Sequence, residues 1–244
     1  MSPKPRLLNT EARTVIAAER VRDIPFAYSQ VDPETGEYSV NGYFKGRLII
    51  GRNTRINGGV SIGATSREAI VVDDVKHTEL AVAYGLLKNS LFEAQPRKFS
   101  ILNRILGPKP VTQLTPLAAA EAAYHYTLQL MPVVPEAVSK VSHDRRDKKI
   151  SLSYFFAVGG VCRQHALLNG YFIEKMIDEG LLYGKVHVER NTAIEGAHTW
   201  ARFTPIVGES IIMDSTQGFV GTPTQAQEES VFWDYTPTPL SPSA

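Results

Sequence analysis

Apolar and polar positions alternate with a helical period in four segments of this chain. These segments are Glu79–Phe92, Leu117–Met131, Glu136–Val141 and Cys162–Glu179. Apolar residues that recur about every three to four positions form one hydrophobic stripe, so each segment is predicted to be a helix with one face on the core. Pro132 follows the second segment and Gly180 follows the fourth, and both residue types end helices.

Short runs of β-type residues lie between turn-forming residues elsewhere in the chain. Near the N-terminus, Arg47–Ile50 and Ala69–Val72 are predicted strands, and glycine-rich turns such as Asn57–Gly59 separate them. Three more strands are predicted after the fourth helix, at Lys185–Arg190, Ala197–Thr204 and Ser210–Asp214. The elements therefore follow the order helices first, antiparallel strands second.

Changes in composition divide the chain into three parts. Residues 1–75 are predicted to be a β-rich N-terminal extension without an assigned function, and they include a helix around Thr10–Arg22. Residues 76–220 hold the remaining helices and strands and form the principal domain. Residues 221–244 are rich in Pro, Ser and Thr, and we expect a wrapped or partly disordered tail with Phe232-Trp233 as its one anchor.

The composition is typical of a soluble globular protein and argues against two classes of partner. Of the 244 residues, 43% are hydrophobic and 21% are charged, which is enough to build one substantial core. The 26 Lys and Arg residues nearly balance the 25 Asp and Glu residues and leave a formal charge of +1. Because no overall positive field would attract nucleic acid or an anionic membrane, neither is a predicted partner.

Cysteine usage and hydropathy bear on the compartment. Cys162 is the only cysteine, so an intramolecular disulfide is excluded, and a reducing compartment or a thiol that must stay free is indicated. No apolar run approaches the roughly 18 residues that a membrane span needs. The first residues lack the apolar segment of a Sec signal peptide. The prediction is a cytoplasmic protein, or one exported without such a signal.

The segment around Cys162 has the features of a nucleophile site. The pair Gly159-Gly160 lets the backbone turn sharply, and Cys162 falls in the first turn of the predicted helix, where unpaired amides and the helix dipole favour a thiolate. Gly160, Val161 and Gln164 adjoin the thiol and are predicted to support it or to line a cleft. The plain alternative is that Cys162 is only a small buried hydrophobic residue.

A base and an acid for this thiol lie on the two strands that follow. Alternation puts His198, Trp200 and Arg202 on one face of their strand, and it puts Ile212 and Asp214 on one face of the next. A hairpin centred on Ile206 would pair Trp200 with Ile212 and His198 with Asp214, within hydrogen-bond reach. A slip by two residues would leave His198 and Asp214 diagonal on the same face. Trp200 would either wall the cleft or fill the core.

Cysteine, histidine and aspartate together predict nucleophilic catalysis. An imidazole accepts the thiol proton, and a carboxylate on its far side fixes the tautomer and stabilises the imidazolium. The predicted catalytic residues are therefore Cys162, His198 and Asp214. His165 is three positions from the nucleophile on the same helix and could compete as the base, but side chains on one helical turn align poorly. It is predicted to lie behind the site residues or in the core.

These residues resemble the transglutaminase-like superfamily of cysteine enzymes. The resemblance rests on Gly160-Val161-Cys162-Arg163 running into a helix, on His198-Thr199-Trp200, and on Asp214 at a strand end. It implies an α+β fold with a transglutaminase- or papain-like core, in which the nucleophile helix packs on an antiparallel sheet. Thr199 and Arg202 depart from the family pattern, and no tryptophan precedes Cys162 to donate to an oxyanion. The predicted donors are therefore the Cys162 amide and an upstream side chain that the sequence does not identify.

The resemblance also implies a function class. It predicts thiol-dependent acyl transfer or hydrolysis on a protein or peptide amide, as in a protease, an amidase or deamidase, or a transglutaminase. No cofactor is predicted. Hydrolysis is the default because nothing in the sequence measures how far water is excluded from the cleft.

Three other functions are open at this stage. Gly159–Cys162 with Asn169–Phe172 resembles the nucleophile segment of arylamine N-acetyltransferases, although that group has more chain after its aspartate. Cys162, His198 and Asp214 could instead be zinc ligands, although no metal-binding spacing supports this. A non-catalytic interaction module that keeps the fold is the third alternative.

Overall fold

The computed structural model describes residues 43–44, 47–48, 56–57, 60–62, 69–93, 114–143, 149–193, 196–229, 231, 233 and 235. In these residues the fold is α+β, with helices packed on an antiparallel four-stranded sheet. The predicted helix at Thr10–Arg22 lies outside the described residues. No helix in the described ranges is long and apolar enough to cross a membrane.

The four helices predicted from Glu79 onward are confirmed, with ends that differ by at most two residues. They are α1 (Thr78–Glu93), α2 (Pro116–Leu130), α3 (Pro135–His143) and α4 (Cys162–Asp178), and a short α5 (Pro223–Glu228) was not predicted. The start of α2 illustrates how the sequence sets these limits. The Thr115 hydroxyl accepts a hydrogen bond from the Ala118 amide at 3.3 Å, and Pro116 occupies the first turn, where a missing N–H costs nothing.

Nine strands occur among the described residues. They are β1 (Tyr43–Phe44), β2 (Arg47–Leu48), β3 (Val60–Ile62), β4 (Ala69–Val72), β5 (Lys149–Ser151), β6 (Gly184–Ala193), β7 (Gly196–Pro205), β8 (Ile211–Asp214) and β9 (Phe219–Gly221). Strands β6 to β9 pair in chain order in one antiparallel sheet. The predicted strands in this part of the chain are thus confirmed, and β9 extends the sheet into the segment expected to be tail.

The predicted register between β7 and β8 is wrong by two residues. Arg202 pairs with Ile212 and Ala201 with Met213, so Trp200, not His198, lies opposite Asp214. The hairpin is centred on Val207 instead of Ile206, because its turn includes Gly208 at φ 103°, a left-handed conformation that glycine adopts without strain. A shift by two keeps every side chain on its predicted face of the sheet.

The described residues before position 75 share the core of the rest of the chain. Strand β4 pairs antiparallel with β3 and parallel with β5, which comes from the segment after α3. Ile56, Ile70 and Val72 are fully buried in the same hydrophobic cluster as α4. The division at residue 75 remains a prediction, and most of residues 1–75 lies outside the description.

The four-stranded sheet is covered on both faces. One face presents Ala201 and Phe203 to the main core, which also contains the apolar side chains of α4. On the opposite face a second cluster joins strand residues to the C-terminal segment, and its buried members are Trp200, Ile212, Phe219, Ala226, Trp233 and Tyr235. The expectation of a single anchor in the tail was wrong, because Tyr235 is as buried as Trp233.

Candidate active site

The glycine pair before Cys162 allows a close approach of two chain segments. The Gly160 amide donates to the Pro132 carbonyl at 3.0 Å, and the Val134 amide donates to the Gly160 carbonyl at 3.1 Å. A methyl group on Gly160 would lie 2.8 Å from Met131 Sδ and 2.9 Å from Gln164 Cβ. Gly159 has φ 117°, which a residue with a side chain rarely adopts. The two glycines therefore let α4 begin in direct contact with the segment that follows α2.

Cys162 is the first residue of α4 and is partly exposed. Its amide belongs to the first helical turn, where N–H groups have no acceptor within the helix, and this is what an oxyanion donor requires. Gln164 is fully buried, and its Oε1 accepts from the Val161 amide at 3.1 Å. Gln164 was predicted either to support the thiol or to line a cleft. Its burial and this hydrogen bond fit the supporting role, at the start of α4.

The structure brings His198 and Asp214 together despite the shifted register. His198 Nε2 lies 2.5 Å from Asp214 Oδ2, and the two side chains are diagonal neighbours on one face of the sheet. Both are buried, with residue exposures of 6% and 1%. Because Nε2 faces the carboxylate, Nδ1 is the ring nitrogen left for the thiol.

Asp214 is held by donors on both oxygens. Oδ1 accepts from the Thr216 hydroxyl at 3.0 Å and from the Gln217 amide at 3.1 Å. Oδ2, which faces His198, also accepts from the Tyr235 hydroxyl at 2.8 Å. These hydrogen bonds offset the free energy that the carboxylate loses when it is removed from water, and they fix its orientation.

The electrostatics of the site favour a thiolate beside an imidazolium. Burial alone would raise the pKa of the Cys162 thiol, but hydrogen bonds from His198 and from the Thr199 amide, together with the charge of His198, outweigh it and lower that pKa. Burial alone would lower the pKa of His198, but Asp214 and Cys162 outweigh it and raise that pKa to about 9. The two shifts widen the pH range in which both groups are charged.

Aromatic rings surround the His198 imidazole. The Trp233 ring centroid lies 4.6 Å from that of His198, and the Trp200 centroid lies 6.0 Å from it. Trp200 is 3% exposed, and its Nε1 donates to Glu189 Oε2 at 3.0 Å. Of the two roles considered for Trp200, the structure thus shows core filling beside the imidazole.

His165 does not compete as a base. It is 1% exposed, which confirms its predicted core position, and burial lowers its pKa to about 4 against the opposing effects of the Pro132 carbonyl and Asp214. The ring is therefore neutral near pH 7. Farther along α4, Asn169 Nδ2 donates to Ser215 Oγ at 2.9 Å and ties the residue after Asp214 to the nucleophile helix.

Two neighbours of the His198–Asp214 pair were missed as site residues in the sequence. Trp233 was predicted only as an anchor for the tail, and Tyr235 was not singled out at all. The available signal was the alternation of aromatic side chains at 233 and 235 in a segment otherwise rich in Pro, Ser and Thr.

The zinc alternative finds no support in the geometry. Over the ranges that the structure describes, which include Cys162, His198 and Asp214, no group of three or more His, Cys, Asp or Glu side chains could hold a metal ion.

Comparisons of the chain with protein-family models, with curated proteins and with solved structures give no match. The chemistry of the site is consequently argued from its own residues. A thiol of lowered pKa, a buried imidazole and a carboxylate on the far side of that imidazole can together attack an electrophilic carbon and pass a proton to a leaving group.

Proposed function

We propose that this protein is a cysteine hydrolase or acyltransferase that acts on a protein or peptide amide through Cys162, His198 and Asp214. The single observation that carries the proposal is the 2.5 Å contact of His198 Nε2 with Asp214 Oδ2, on a ring that also interacts with the Cys162 thiol and lowers its pKa. A nucleophile, a base and an orienting acid in this order are the parts of a catalytic triad.

In the acylation step, the Cys162 thiolate attacks the amide carbonyl and a carbon–sulfur bond forms. The negative charge that develops on oxygen is stabilised by the Cys162 amide in the first turn of α4, with the positive end of the helix dipole behind it. The His198 imidazolium then gives its proton to the amide nitrogen, the carbon–nitrogen bond breaks, and an amine or ammonia leaves.

In the second step, His198 is neutral and accepts a proton from water while that water attacks the thioester carbonyl. The carbon–sulfur bond breaks, the acid product leaves, and the thiolate and imidazolium are restored. A primary amine in place of water would give transamidation by the same proton transfers. Asp214 keeps its charge throughout and compensates the imidazolium in both steps.

Two exposed apolar side chains support a substrate with an uncharged residue near the reacting carbonyl. Val133, which forms a β-bridge with Gly160, is 43% exposed, and Val158 is 41% exposed. The bridge places Val133 beside Gly160, and Val158 directly precedes Gly159 in the chain. Apolar contacts with these two valines would favour a neutral substrate side chain over a charged one.

The proposed likeness to transglutaminase-like enzymes rests on the same residues. It is supported by a nucleophile at the start of a helix that packs on an antiparallel sheet, and by histidine and aspartate on neighbouring strands of that sheet. The arylamine N-acetyltransferase and interaction-module alternatives remain predictions, and no feature of the site favours either.

The deciding experiment is intact-mass analysis of protein and glutamine-peptide substrates after incubation with the native protein, with and without a primary amine. Cys162→Ala and Cys162→Ser are the matched variants. We expect a shortened product, a deamidated product or an amine adduct with the native protein, and a loss of roughly a thousandfold or more in rate with either variant. Equal rates for the native protein and Cys162→Ala would reject the proposal.

A further inference from the structure

The C-terminal segment contacts both members of the histidine–aspartate pair. Trp233 is 6% exposed and packs on His198, and Tyr235 is 2% exposed and hydrogen-bonds Asp214. These residues stand 35 and 21 positions away from the side chains that they touch, so the contacts are products of the fold and not of local sequence.

Tyr235 is fixed at three points. Its hydroxyl donates to Asp214 Oδ2 at 2.8 Å, and its backbone carbonyl accepts from the Arg202 guanidinium. Its ring stacks on Phe219 with centroids 5.6 Å apart and meets the edge of Trp200 at 5.3 Å. A tyrosine held at both ends and on its faces has little freedom to move its hydroxyl.

Arg202 is itself held by the sheet. Its Nε lies 2.9 Å from Glu189 Oε1, and one of its terminal nitrogens donates to the Ser210 hydroxyl at 2.9 Å. The residue is 4% exposed, so the guanidinium acts in a water-poor environment where charge-assisted hydrogen bonds are strong. A chain of contacts therefore runs from Glu189 through Arg202 and Tyr235 to Asp214 and His198.

We propose that Tyr235 is a positioning residue of the active site, and that Arg202 sets its place. The hydroxyl shares Asp214 Oδ2 with His198 Nε2 and so fixes the direction in which that oxygen faces the imidazole. The inference rests on the proposed triad, since a positioned carboxylate matters only if His198 serves Cys162.

The choice of a neutral donor has a physical reason. A cation on Asp214 would weaken the attraction of the carboxylate for the His198 imidazolium, whereas a hydroxyl stabilises the carboxylate without adding charge. The buried cation of this region, Arg202, contacts Glu189 and the Tyr235 carbonyl instead. Burial, together with the charge of Asp214 and the nearby Tyr124, raises the pKa of Tyr235, so it remains a donor across the accessible pH range.

The groups that could mask this effect are few among the described residues. Cys162 and His165 of α4 and Tyr124 of α2 act on the pair directly. Glu189 of β6 reaches it only through Trp200, and Arg202 of β7 only through Tyr235. Burial lowers the pKa of His165 to about 4 and raises that of Tyr124, so both stay neutral near pH 7. A change in the titration of the thiol therefore does not arise from either of these two groups.

The test compares Tyr235→Phe and Arg202→Lys with the native protein and with Tyr183→Phe, a control at a tyrosine that is 55% exposed. The rate of Cys162 alkylation by iodoacetamide is measured against pH by intact mass, and the lone cysteine makes the signal unambiguous. We expect Tyr235→Phe to slow alkylation at pH 6.5 about fivefold or more, because a misplaced carboxylate stabilises the ion pair less. Arg202→Lys should shift the profile in the same direction, and the control should leave it unchanged.

Each other outcome has a definite meaning. An unchanged profile with a lower melting temperature would make Tyr235 a packing residue only and would overturn the inference. A shift to faster alkylation at pH 6.5 would also overturn it, because the hydroxyl would then act only by weakening the charge of Asp214. A native profile like that of an ordinary thiol, unaltered by His198→Ala, would reject the triad itself, and this result is distinct from the other two.

Discussion

At the scale of single residues, the site depends on compensation between burial and charge. Cys162 and His198 would each resist ionisation in their surroundings, yet together they move their pKa values in the directions that favour a thiolate and an imidazolium. Asp214 makes this arrangement stable because both of its oxygens accept hydrogen bonds from fixed donors. The triad is therefore one electrostatic unit.

These pKa shifts predict in which direction the rates of thiol alkylation and of turnover change with pH. Because the pKa of Cys162 is lowered and that of His198 is raised to about 9, the charged pair exists between those two values. Alkylation of the thiol should remain fast below the usual thiol pKa of about 8.5 and fall only on further acidification. Turnover should also fall above about pH 9, where His198 loses the proton that it gives to the leaving group, whereas alkylation should not.

Removal of the imidazole should abolish the low-pH reactivity. In His198→Ala, burial acts on the thiol without a compensating cation, so the midpoint of alkylation should move up to or beyond the ordinary thiol value. His125→Ala, at an exposed histidine on α2, is the matched control. The same alkylation profile in the native protein and in His198→Ala would show that His198 does not stabilise the thiolate.

At the scale of elements, the start of α4 and the ends of β7 and β8 meet at one place. The glycine pair seats the first turn of α4 against residues 131–134, and the hydrogen bond of Asn169 to Ser215 joins the helix to the end of β8. Small residues are required where the two backbones approach, so the glycines serve the position of the nucleophile as well as the turn.

We expect Gly160→Ala to destabilise this junction. The added methyl group would lie 2.8 Å from Met131 Sδ and 2.9 Å from Gln164 Cβ, and overpacking of this kind costs about 1–3 kcal/mol. Urea unfolding should report a lower free energy of unfolding, and alkylation of Cys162 should slow as α4 shifts. Gly85→Ala in α1 is the control, since no atom lies within 4 Å of its added carbon and alanine favours a helix by about 1 kcal/mol. Equal stability of the two variants would contradict the packing argument.

At the scale of the whole molecule, α4 connects the N-terminal part of the described chain to the sheet. Glu174 accepts hydrogen bonds from the amides of Ile56 and Asn57 at 2.7 and 2.8 Å. Gly170 leaves room for Ile56, whose Cδ1 would lie 2.5 Å from an added methyl group. The helix that begins with Cys162 is thus also the attachment site for residues more than a hundred positions earlier.

Glu174→Ala should loosen that attachment. It would leave two amides without their acceptor, one of them buried, at a cost of about 1–3 kcal/mol for each amide that water does not reach. The free energy of unfolding measured in urea should fall by about 1–3 kcal/mol or more. Proteolysis near residues 56–57 should become faster. Glu121→Ala, at an exposed position of α2, should change neither. If Glu174→Ala matched that control, the contacts would not contribute to stability.

Local patterns in the chain were enough to predict α1 to α4, strands β6 to β8 and the side of the sheet on which His198 and Asp214 lie. These features depend on local periodicity, and the two-residue parity of a strand survived an error of two in the register. The register followed from the turn at Gly208, a local feature that the prediction did not use. The contact of Tyr235 with Asp214 and the attachment of residues 56–57 to α4 join segments far apart in the chain, so no local pattern of residues encodes them.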